Sequence, residues 1–150
     1  LGFVAACLVA ACLLPAAFAG CGEQGIGEGA AASVYVTAPL CGGAGRELAQ
    51  DGASTGEVRL RVKCLPEASD LAAIGAGARR AVEDSSTIAY IGPTDRKPIE
   101  FSETILEEAA IPRIPTSSGA TAMDQLIQAV AEAGDTSNLR ESVNKSLSSN

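Results

Sequence analysis

The chain has 150 residues, 47% of them hydrophobic, with a formal net charge of −7 and neither His nor Trp. That length supports one globular domain with its own core. The acidic balance argues against nucleic acid as a partner, and the lack of His removes the commonest general base and metal ligand, so enzyme and metal-site readings start at a disadvantage.

Residues 1–20, LGFVAACLVAACLLPAAFAG, contain no charged side chain. Such a run is long enough to span a bilayer, but Pro15 followed by Ala16, Ala17, Ala19 and Gly20 is the small-residue close of a cleavable export signal. Phe18-Ala19-Gly20-Cys21 resembles the bacterial lipobox, in which the cysteine is acylated and becomes N-terminal. Phe18 stands where that box usually has Leu, and no basic residue precedes the apolar run. The expectation is an exported lipoprotein held at the outer face of a membrane through Cys21; an uncleaved anchor and plain secretion are the alternatives. Residues 21–33, rich in Gly and Ala, read as the lipidated cysteine and a flexible tether, and residues 34–150 as the folded domain.

Export changes how the cysteines are counted. Cys7 and Cys12 leave with the signal and Cys21 carries lipid, which leaves Cys41 and Cys64 in a disulfide-permissive compartment. Each follows a candidate strand, 34–37 and 58–62. Parallel neighbouring strands would bring the two cysteines to one sheet edge within bridging reach. Two buried free thiols are the other reading.

Further along, strand and helix signals alternate. Ser69 or Asp70 caps a predicted helix running to residue 84, with Leu71, Ile74, Ala78, Ala81 and Val82 on its inner face. Residues 88–91 form a short apolar strand stopped by Gly92-Pro93. Residues 98–110 then read as a helix with Phe101, Ile105, Leu106 and Ala109 inward. The prolines of 111–115, Ile-Pro-Arg-Ile-Pro, confine that fourth strand to a sheet edge. Two helices close the chain, 120–133 with Met123, Leu126, Ile127 and Val130 on one face, and 137–148 with Leu139, Val143 and Leu147; Gly134-Asp135-Thr136 separates them. Four strands separated by helices predict an α/β fold: a four-stranded parallel sheet in the order 2-1-3-4, with right-handed crossovers and helices on both faces.

Several of these segments resemble a known family in wording as well as order. Val34-Tyr35-Val36-Thr37-Ala38-Pro39-Leu40 is similar to the opening strand and first ligand-side loop of type I periplasmic binding proteins, the branched-chain amino-acid receptors of ABC importers. Gly77-Ala78-Arg79-Arg80-Ala81-Val82-Glu83-Asp84 is similar to the helix before their third strand, Ala89-Tyr90-Ile91-Gly92 to that strand, and Ile111 to Gly119 (IPRIPTSSG) to the serine-rich loop that enters their cleft. Residues 123–147 are similar to their closing helical pair. The family's second lobe has no counterpart here, so the chain reads as part of one lobe, spliced from the serine loop to the final helices. Both closing helices must then pack on the sheet.

The resemblance implies a ligand site beyond the carboxyl ends of the strands, at residues 38–43, 92–97 and 116–119. The family holds the carboxylate and ammonium groups of an amino acid with hydroxyls and backbone amides. By position this carries over to Thr116, Ser117, Ser118 and Gly119, and in the other loop, Pro93-Thr94-Asp95-Arg96-Lys97, to Thr94 alone. An ordinary helix cap is the plainer account of the two serines. The implied partners are a small amino-acid-like ligand, an ABC permease or other envelope protein, and the membrane itself; no cofactor is implied. A non-catalytic lobe that docks on an envelope partner or dimerises, or a truncated remnant, is the alternative function.

Catalysis finds little support in the residues. The chain has no G-x-x-x-x-G-K-[ST] loop, no C-x-x-C, and no His to activate a nucleophile. Glu103, Glu107 and Glu108, and likewise Arg79 and Arg80, read as solvated helix faces.

Overall fold

The computed structural model describes residues 31–51, 54–55, 58–133 and 138–149; the expected export signal at 1–20, Cys21, most of the expected tether and the Gly134-Asp135-Thr136 break lie outside the described residues. Strand β1 (Ala31–Val36) starts ahead of the predicted Val34. The reason is local: Ala32 is fully buried, and the Ser33 hydroxyl lies 2.8 Å from that of Ser86 while its N–H donates to the Ser86 carbonyl at 2.8 Å. Small side chains thus satisfy a strand that hydrophobic patterning does not announce.

Helix α1 (Ala38–Asp51) occupies the stretch expected to hold a ligand-side loop at 38–43. Gly42, Gly43 and Gly45 lower its intrinsic helix propensity, yet Leu40, Cys41, Ala44 and Leu48 are buried along one side. Packing against the sheet overrides propensity. The chain continues through β2 (Ser54–Thr55), β3 (Val58–Cys64), α2 (Leu71–Glu83), β4 (Thr87–Ile91), α3 (Arg96–Glu108), β5 (Arg113–Ile114), α4 (Gly119–Ala133) and α5 (Leu139–Ser148).

The sheet order is β2-β3-β1-β4-β5. Strands β3, β1, β4 and β5 are parallel, which is the predicted 2-1-3-4 order, and β2 adds a short antiparallel strand outside β3. Strand β5 is two residues long between Pro112 and Pro115 and forms the other edge, as the missing proline donors require.

On one face, Val34, Val36, Leu60, Ala89 and Ile91 pack with α1, α4 and α5 through Leu40, Met123, Leu126, Leu139 and Val143. Both closing helices therefore lie on the sheet. On the other face Tyr90, Leu65 and Ile111 pack with Ala78 and Ala81 of α2 and Leu106 of α3.

Two residues expected inside are not. Leu71 is 44% and Phe101 41% exposed. Helix α2 approaches the core through Gly75, Gly77, Ala78 and Ala81, small residues that leave no space for a leucine on the inner side. Phe101 lies across the outside of Gly75 instead of under α3, so close that a Cβ on Gly75 would collide with its ring.

Candidate functional site

Every parallel strand delivers its carboxyl end to the same side of the sheet, and there the described residues enclose a cleft of about 400 Å³. Thr37 follows β1, Pro39 and Leu40 open α1, Leu65 to Ala68 follow β3, and Pro93 to Asp95 follow β4; Ile74, Gly77 and Arg80 of α2 and Pro98 of α3 close the side. Its position between crossovers is where open parallel sheets take their ligands.

Local chemistry explains each wall. Gly92 has φ +93°, a left-handed conformation that suits glycine, and a Cβ there would overlap Thr37 Oγ1. This turn directs Pro93, Thr94 and Asp95 along the cleft. Thr37 is tied to the same strand end, its N–H donating to the Ile91 carbonyl at 3.0 Å and its hydroxyl at 3.4 Å. Cys41 and Cys64 form the disulfide, with Cα atoms 5.6 Å apart. It joins the opening of α1 to the end of β3 directly beside the wall residues Leu40 and Leu65. Beneath Gly77 lies Tyr90, whose hydroxyl burial pushes up to about 12, so it is a neutral donor at ordinary pH.

The cleft is lined mostly by prolines, Leu, Ile and Ala, with the hydroxyls of Thr37 and Thr94 and three charged side chains, Glu67, Arg80 and Asp95. Such a lining accepts an apolar body and orients it by a few charged groups. It assembles neither a nucleophile with a base nor, among the described residues, a group of acids and cysteines that could hold a metal.

Thr94 is in the cleft; Thr116, Ser117, Ser118 and Gly119 are not among its lining residues. The Thr116 hydroxyl donates to the Ser118 carbonyl at 2.9 Å and accepts the Ser118 N–H at 3.0 Å. Ser118 Oγ accepts the Thr121 N–H at 3.4 Å and its carbonyl accepts the Ala122 N–H at 3.1 Å, the bonding of a helix cap. Gly119 is buried where α4 crosses α1: a Cβ would overlap the Leu40 carbonyl oxygen. Ser117 is exposed.

Arg80, read from the sequence as a solvated helix position, lines the cleft, whereas Arg79 beside it does not. Leu65, Pro66, Ile74 and Pro98 also belong to the lining, although none was expected at a ligand site and Ile74 was expected only on the inner face of its helix. The available signal was topological: each lies just after a strand or in the first turns of the helix that follows. Of the glutamates on α3, Glu103 approaches Arg113 at 3.4 Å, while Glu107 and Glu108 are exposed.

Fold and site together define an open, parallel α/β lobe with a mixed apolar and charged cleft at its carboxyl edge. Comparison with family models, with curated proteins and with solved structures yields no match for this chain.

Proposed function

We propose that this protein is a non-catalytic, extracytoplasmic solute-binding lobe, tethered to a membrane through Cys21 and serving an amino-acid ABC importer, with the permease or another envelope protein as its partner. The observation that carries the reading is the cleft at the carboxyl ends of β1, β3 and β4, whose lining combines Arg80, Asp95 and Glu67 with the apolar Leu65, Pro66 and Ile74. That set suits a zwitterion with an apolar side chain: a carboxylate beside the guanidinium, an ammonium beside the carboxylates, and hydrocarbon against the wall.

Binding by this lobe is weak, on the order of millimolar, because a solute held against one wall keeps part of its surface in water. Calorimetric titration of the oxidised chain with a pool of amino acids that includes Leu, Ile and Val tests the proposal. Saturable heat that disappears in Arg80→Ala supports it. A flat trace from a folded sample overturns it.

A further inference from the structure

Six of the described residues are prolines, and four of them, Pro39, Pro66, Pro93 and Pro98, line the cleft. The other two flank β5, where they protect a sheet edge. The four come from separate segments: the first turn of α1, the loop after β3, the turn after β4 and the first turn of α3. Each contributes a rigid ring and no N–H to the wall. Proline ring C–H groups, polarised by the neighbouring amide, are attracted to the negative face of an aromatic ring, the contact by which proline-rich segments dock in aromatic grooves. The lining holds no Phe or Tyr of its own, so here an aromatic partner can come only with the solute. Arg80, which forms no ion pair among the described residues, adds a cation that attracts both a carboxylate and a ring face.

We infer that the solute of this cleft is an amino acid with an aromatic side chain, its ring against the prolines and its carboxylate on Arg80. The inference rests on the solute-binding reading and narrows it. A branched aliphatic side chain suits Leu65 and Ile74 but gains nothing from the proline rings beyond buried area. The cleft volume of about 400 Å³ lies within the range of sites that enclose drug-sized molecules, and an indole or phenol ring fills it better than a leucine side chain does.

The chain has no Trp, so L-tryptophan excited beyond the tyrosine band reports its own binding. Its fluorescence anisotropy in a titration with the full, oxidised chain, beside calorimetric titration with L-leucine and with far-UV circular dichroism as the folding control, tests the inference. The expected result is L-tryptophan bound at least about tenfold more tightly than L-leucine. Pro66→Ala, in an exposed loop, and Pro98→Ala, in a helical turn that alanine favours, each weaken L-tryptophan by about two- to tenfold and leave L-leucine within a factor of about two. L-Leucine bound as tightly as L-tryptophan overturns the inference and leaves the solute-binding reading standing; a folded chain that binds neither overturns both. Tryptophan binding that ignores Arg80→Ala and both proline changes lies outside the cleft and also overturns the inference.

Discussion

Lys63 Nζ lies 2.6 Å from Asp84 Oδ2, joining the end of β3 to the residue that ends α2. The same carboxylate accepts the Tyr35 hydroxyl at 3.2 Å, the Ser86 N–H at 3.0 Å and the Ser86 hydroxyl at 2.6 Å, while Lys63 Nζ sits 5.4 Å from the Tyr35 ring centre. Burial works to raise the Asp84 carboxyl, but the hydrogen bonds from Lys63 and Ser86 and the Lys63 charge outweigh it and hold the group well below the usual carboxylate range. The hydrogen bond to Asp84 raises Lys63 in turn.

The sign of the pH dependence follows from these shifts. A depressed folded value means that Asp84 contributes its stability in full above the ordinary carboxylate value of 3.8 and loses it as pH falls below that. Asp84→Asn is expected to cost about 1–2 kcal/mol at neutral pH, the Lys63 end being discounted for its exposure, and to flatten the acid limb. Urea midpoints from pH 7 to pH 2.5 check both; a variant that keeps the wild-type acid limb contradicts the assignment.

Ala110 offers a stabilising change. It has φ +52° after α3, its N–H bonds to the Glu107 carbonyl at 3.0 Å, and the Ile111 N–H bonds to the Leu106 carbonyl at 3.0 Å. This is a Schellman ending with alanine in the left-handed position that glycine normally fills. Ala110→Gly relieves the steric cost of that conformation and is expected to add about 0.5–1 kcal/mol after glycine's own entropy is deducted. A rise in the denaturant midpoint at unchanged slope is the measurement.

The disulfide closes a sequence separation of 23 residues, for which the chain-entropy estimate is about 3 kcal/mol. Paired Cys41→Ser and Cys64→Ser substitution should lower stability by roughly that amount and accelerate amide exchange in residues 65–68 of the cleft wall. Equal exchange in both forms would mean that the wall is held by Leu65 packing alone.

Gly119 and Ser117 separate packing from ligand roles in one loop. Gly119→Ala forces α4 away from the Leu40 carbonyl and is expected to cost about 2–3 kcal/mol. Ser117→Ala, at an exposed position, should change stability by less than about 0.5 kcal/mol. Thermal unfolding of the two variants side by side gives the comparison. Solute affinity unchanged in Ser117→Ala assigns recognition to the cleft wall and away from this loop.

The alternation of strand and helix signals was enough to determine the parallel sheet, its 2-1-3-4 order and the proline-bearing edge, and to bring Cys41 and Cys64 to one sheet edge, where a bridge and two free thiols both stayed open. These follow from periodicity, chirality of crossover and position along the chain, which are local or topological properties; the bridge itself is seen only in the structure. What tertiary structure alone decided is how the helices sit on that sheet. Three glycines argue against a helix at 42–45, yet α1 forms there, and Gly43 lies so close to α4 that a Cβ would come within 3.1 Å of the Ala120 nitrogen. The small inner face of α2 turns Leu71 outward and brings Arg80 into the cleft beside Thr94, while Thr116 and Ser118 spend their hydroxyls on the turn before α4. The physical reason is the same in each case: helix roll and crossing distance are set by side-chain volumes on two elements at once, and no single segment carries that information.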